Sequence, residues 1–107
     1  WTDAKADTVQ AFLPVYDNLE RALKQDTADE AFKKGVEMTM NQLKEVFARL
    51  GITEIEAEGK PFDPNLHNAV MHIEDENLGE NTVAQVFQAG FMLGEKVIRF
   101  AMVQVAN

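Results

Sequence analysis

The spacing of apolar residues changes once along this chain, near Gly51, and that change divides what the chain can fold into. Before it, Val9, Phe12, Tyr16, Leu19 and Leu23 recur at steps of three and four, which lines one side of an α-helix. Val9, Tyr16 and Leu23 are seven apart, as are Phe12 and Leu19, a short heptad pattern. Pro14 falls inside this stretch and predicts one kinked helix, not two. A second stripe runs through Phe32, Val36, Met40, Leu43, Phe47 and Leu50, with Val46 beside it. Thr27 or Asp29 is placed to cap that helix, predicted over 29–50, and Gly51 to end it.

After Gly51 the period falls to two. "ITEIEAE", "NAVMHIE", "TVAQVFQAGF" and "EKVIRFAMVQV" read as four strands. The glycine of "MLGEK" joins the last two as a hairpin. In the last strand Val97, Arg99, Ala101, Val103 and Val105 share one face, and Ile98, Phe100 and Met102 the other. The expected fold is therefore α+β: a helical region over 1–51 followed by a small all-β domain over 52–107. A helical pair alone leaves a broad apolar flank open, so pairing with a second copy as a four-helix bundle is expected. Val9, Phe12, Tyr16, Leu19, Leu23, Phe32, Val36, Met40, Leu43 and Phe47 are the candidate interface.

Composition narrows the function. The net charge of −8 repels nucleic-acid phosphates and anionic lipid. Cysteine is absent, which removes thiol chemistry and suits a reducing compartment. No apolar run is long enough to span a membrane, and no signal peptide is visible. The start on "WTDAKADTV" suggests a piece of a longer protein.

The stretch most suggestive of chemistry is "GKPFDPNLHNAV". As a calcium loop beginning at Asp63 it places His67 and Asn68 where an oxygen ligand and a glycine belong. As a zinc site it offers His67 and His72 at the wrong spacing for a helical pair, and on opposite faces of a strand. There is no serine nucleophile and no phosphate-cradling glycine loop. Neither metal nor cofactor is expected, nor an enzyme. The residues themselves describe a rigid turn: Pro61 and Pro64 restrict the backbone, Asp63 initiates, Phe62 and Leu66 anchor, and His67 bonds a loop backbone group.

Four blocks, "LPVYDNLERAL", "KGVEMTMNQLKEVFARLGI", "PFDPNLHNAV" and "QAGFMLGEKVIRFAMVQV", resemble in order the C-terminal part of the GrpE family. The resemblance implies an elongated homodimer with a four-helix bundle and a β domain. It implies a nucleotide exchange factor that binds the nucleotide-binding domain of a DnaK-type chaperone, opens it and releases ADP. No direct nucleotide binding is implied. By the same resemblance, the partner-binding residues fall on Gly35, Phe87, Lys96 and Val105, with Arg99 where the family also has arginine. Phe87 and Val105 serve equally as β-domain core, and Lys96 as a solvated turn cation. Phe100 departs from the small residue or proline usual before "AMV", and "VAN" lacks the usual basic tail. A bacterial cytoplasm fits better than a mitochondrial matrix. The alternative function is a dimerisation module without exchange activity.

Overall fold

The structure is a computed structural model and describes residues 2–107. Trp1, the first residue of the expected helical region, lies outside the described residues. Two helices come first and six short strands follow. The fold is α+β, as the change of period predicts. The chain divides into two compact units, one ending at Ile52 and the other spanning Thr53–Asn107.

Helix α1 spans Thr2–Leu23 and runs through Pro14 as one element. Helix α2 spans Glu30–Arg49. Its start is a side-chain cap: Asp29 Oδ1 accepts from the Phe32 amide at 3.0 Å, meeting one of the first-turn N–H groups that have no intrahelical partner. Thr27, the other candidate, acts one step earlier, accepting from the Asp29 amide at 3.1 Å. Gly51 follows the helix with φ of 80°, the left-handed conformation that ends a helix without cost at glycine.

The buried positions of α1 are Ala6, Val9, Leu13 and Tyr16, and those of α2 are Met40 and Phe47. Tyr16 and Phe47 stack across the two helices with ring centroids 6.4 Å apart. Leu13 was not on the expected stripe, although it stands four residues after Val9 and three before Tyr16. Phe12 and Phe32 were on it, and they are 55% and 63% exposed. The chain's own packing takes one side of α1 and leaves the Phe12 side open.

In the β unit, β1 (Ile52–Glu54), β4 (Phe91–Leu93) and β5 (Lys96–Arg99) form one sheet in the order β1-β4-β5. Strands β2 (His67–Ile73), β3 (Thr82–Gln88) and β6 (Ala101–Ala106) form another in the order β2-β6-β3. Here β2 is parallel to β6 and β3 antiparallel to it. The two long strands expected at the end of the chain are each broken, between β3 and β4 and again between β5 and β6. The hairpin survives the break. Leu93 pairs with Lys96 around Gly94, whose φ is 59°, and β3 still meets β6 farther along.

Gly90 explains the break. A β-carbon there would lie 2.4 Å from the Ala101 nitrogen and 2.8 Å from both the Arg99 oxygen and the Phe100 carbonyl carbon. Two backbones touch at this point, and only glycine permits the approach. Phe100, opposite it, belongs to no strand and is exposed.

The core of the β unit gathers Ile55, Ala57, Val83, Ala101, Val103 and Val105, with Phe62, Leu66, Val86, Met92 and Val97 packed around it. The alternation in β6 holds, because Ala101, Val103 and Val105 all face this core.

Candidate interaction surface

The turn over 61–67 is built as its residues suggest. Asp63 Oδ1 accepts from the Asn65 amide at 2.9 Å, and the Asp63 carbonyl accepts from the amides of Leu66 and His67. His67 is buried, and its Nδ1 accepts from the Asp63 amide at 3.0 Å. Its proton therefore sits on Nε2, which faces the Glu56 carbonyl at 3.4 Å. The Phe62 ring lies 5.9 Å from the imidazole. These bonds make His67 a brace inside the turn. His72 is exposed, away from it. Among the described residues no three His, Cys, Asp or Glu side chains gather to hold a metal ion.

The residues singled out for partner binding take different places. Phe87 is exposed because of a bulge. Val83 pairs with Val105 and Gln85 with Gln104, so the alternation that starts from buried Val83 slips by one residue, which brings Val86 to the core opposite Val103 and leaves Phe87 on the other face. A bulge re-aims a side chain, and Phe87 turns out from the sheet while Val86 packs on the core. Lys96 is exposed at the first position of β5, beside the turn. Arg99 is half-buried. Its Nε donates to the Ala89 carbonyl at 2.9 Å, and its guanidinium carbon lies 5.7 Å from the Phe91 ring centroid, within cation–π range. Its stem is thus fixed against the backbone on which the two sheets part.

Gly35 lies on the exposed side of α2, beside a shallow groove lined by Met38, Thr39, Asn41, Gln42 and Glu45. A β-carbon on Gly35 would meet nothing within 4 Å. No packing among the described residues calls for glycine here. Val105 differs from the others. It is 5% exposed and belongs to the core of the β unit, so it is a core residue with little surface to offer a partner.

The helices also leave apolar side chains open. Val15, Met38 and Val46 are exposed alongside Phe12 and Phe32. Leu19, Leu23, Val36 and Leu43 are half-buried. Of the candidate interface residues only Val9, Tyr16, Met40 and Phe47 are buried. Val15 and Met38 were missing from the expected stripes, since Val15 lies one step from Tyr16 and Met38 two steps from both Val36 and Met40.

What these elements display is a set of outward side chains on rigid backbone, the anatomy of a protein that works through contact. No helix among the described residues is long and apolar enough to cross a membrane. Comparison with known proteins gives the family. The sequence model of the GrpE family matches residues 2–107, and the chain belongs to that family. "Protein GrpE" of Clostridium acetobutylicum is 56% identical over 107 residues, covering 100% of this chain and 53% of that protein. Its counterpart from Clostridium beijerinckii is 55% identical, covering 100% of this chain and 51% of the relative. A Geobacillus stearothermophilus "Protein GrpE" is 48% identical over 102 residues, 92% of this chain and 46% of its own length. The chain thus spans about half the length of these relatives.

Proposed function

We propose that this chain is the partner-binding part of a homodimeric nucleotide exchange factor, which binds the nucleotide-binding domain of a DnaK-type chaperone and favours its open, ADP-releasing state. Phe87 carries the reading. A large aromatic side chain is held in water by a bulge when an uninterrupted alternation would have placed it differently. Exposed aromatics on rigid backbone are the usual anchors of a contact. Lys96 and the anchored Arg99 supply cations on a chain that is otherwise acidic. Gly35 supports a second contact on α2. Glycine costs a helix about 1 kcal/mol against alanine, and among the described residues no close packing at Gly35 repays it.

The open residues of the helices, Phe12, Val15, Phe32, Met38 and Val46, support the homodimer. Burying a phenylalanine or methionine side chain fully is worth about 1.5–3 kcal/mol, so a few of them stabilise a bundle. The bacterial relatives support a bacterial cytoplasm over a mitochondrial matrix.

The mechanism needs no reacting group. A protein that binds the open chaperone more tightly than the closed one shifts the equilibrium toward open. Linkage then requires ADP to weaken the complex by the factor by which the complex weakens ADP. Sedimentation velocity tests this. The chain alone is expected to sediment as a dimer and to form a complex with nucleotide-free chaperone that ADP disfavours. A dimer that never binds the chaperone leaves only a dimerisation module.

A further inference from the structure

We propose that Arg99 is a positioning residue: it fixes the angle between the two sheets of the β unit and so presents Phe87 and Lys96 to a partner as one rigid pair. The partner is that of the exchange-factor reading above, on which this role rests; the angle follows from the β unit alone.

Phe87 and Lys96 stand on different sheets. Phe87 is in β3, of the β2-β6-β3 sheet, and Lys96 opens β5, of the β1-β4-β5 sheet. The chain passes between the sheets at Ala89 and Gly90, which link β3 to β4, and again at Phe100, which links β5 to β6. The two passages touch, since a β-carbon on Gly90 would lie 2.4 Å from the Ala101 nitrogen. Each passage also has a backbone bond to its own surroundings. The Ile55 amide donates to the Gly90 carbonyl at 2.8 Å, and the Ala101 amide donates to the Leu66 carbonyl at 3.1 Å.

Arg99 joins one passage to the other. It is the last residue of β5, directly before Phe100. Its Nε donates to the Ala89 carbonyl at 2.9 Å, and its guanidinium carbon lies 5.7 Å from the centroid of the Phe91 ring. Phe91 is its pairing partner across β4 and β5. One side chain therefore grips the residues on both sides of Gly90. Ala89 and Phe91 are buried, so water does not readily replace a lost bond there. A guanidinium donates from a fixed plane while it faces a ring, and an ammonium does not reproduce that geometry. Ala89 lies two residues after Phe87, and Arg99 three after Lys96, so play at this joint reaches both. Two anchors on a rigid frame engage together. On a loose frame the second contact must first order the frame.

The test compares Arg99→Lys, which keeps the charge, with Arg99→Met, which keeps only an apolar stem. The free chains are read first, by residual dipolar couplings of the backbone amides in a dilute aligning medium. In the parent the two sheets are expected to fit one alignment, and in either variant to need two. Titration calorimetry against nucleotide-free chaperone, at a temperature where circular dichroism shows every variant folded, reads the consequence. Each variant is expected to bind about fivefold more weakly than the parent. In a Phe87→Ala background, where one of the two anchors is gone, Arg99→Met is expected to change binding by less than about twofold. Three results would overturn the proposal: one alignment kept in Arg99→Met, parental binding by Arg99→Lys, or an undiminished loss in the Phe87→Ala background. The first would leave the angle to Gly90 and the core, the second would make charge sufficient, and the third would put Arg99 itself against the chaperone. A parent chain that never binds the chaperone would count against the exchange function, and the couplings would still decide whether Arg99 sets the angle.

Discussion

Replacing Gly90 by alanine adds one methyl group at the point where the two sheets of the β unit part. The new carbon would sit 2.4 Å from the Ala101 nitrogen and 2.8 Å from two more backbone atoms. None of these neighbours is a side chain that can rotate away. Backbone must move at Ala101, the first residue of β6, whose side chain is fully buried. Overpacking of this kind costs about 1–3 kcal/mol, and the backbone neighbours place Gly90→Ala at the upper end, about 3 kcal/mol. For a domain of this size that lowers the melting temperature by roughly 10 °C or more. Urea unfolding by far-UV circular dichroism reads the loss, and amide exchange should locate it in β3 and β6. Gly35→Ala is the control, because its added carbon meets nothing. There the same substitution should stabilise α2 by about 0.5–1 kcal/mol through helix propensity. A Gly90→Ala variant within about 0.5 kcal/mol of the parent would refute the reasoning.

Further expectations are quickly checked. Asp29→Ala should cost about 1 kcal/mol in thermal unfolding and Asp29→Asn much less, since asparagine keeps the cap to the Phe32 amide. His67→Ala should cost about 2 kcal/mol by leaving the Asp63 amide without its imidazole acceptor, with the loosening visible as faster amide exchange over the 61–67 turn. Val105→Ala should destabilise the β unit by about 2 kcal/mol, whereas Phe87→Ala should leave the melting temperature nearly unchanged and weaken chaperone binding about tenfold.

The legible part of the fold was what repeats. Two helices and their ends could be read because steps of three and four, a capping Asp29 and a terminal Gly51 are local signals. The alternation divided β6 into two faces for the same reason, while apolar residues on both left open that the face of Ala101, Val103 and Val105 is the inward one. The split of the last two strands into two sheets was not legible, because it depends on the Gly90 backbone meeting residues 99–101 in space. Phe12 and Leu13 show a second limit. Both fit a helical stripe, and only the pairing of α1 with α2 decides that Leu13 is buried and Phe12 exposed. The outward turn of Phe87 was likewise hidden, since a bulge changes which residues share a face and leaves no mark in composition. Val105 was named for partner contact through the family resemblance and served equally as core in the sequence; the structure places it in the core.

Contact that opens a chaperone is the central expectation for this chain, and the rate of nucleotide loss measures it directly. Fluorescent ADP is bound to a DnaK-type chaperone and chased with unlabelled nucleotide in a stopped-flow instrument, with and without this chain. The expected result is faster release that saturates with chain concentration, with about tenfold more of the Phe87→Ala variant needed to reach half of the effect. Release unchanged at saturating chain, while the complex is seen to form, would contradict the account.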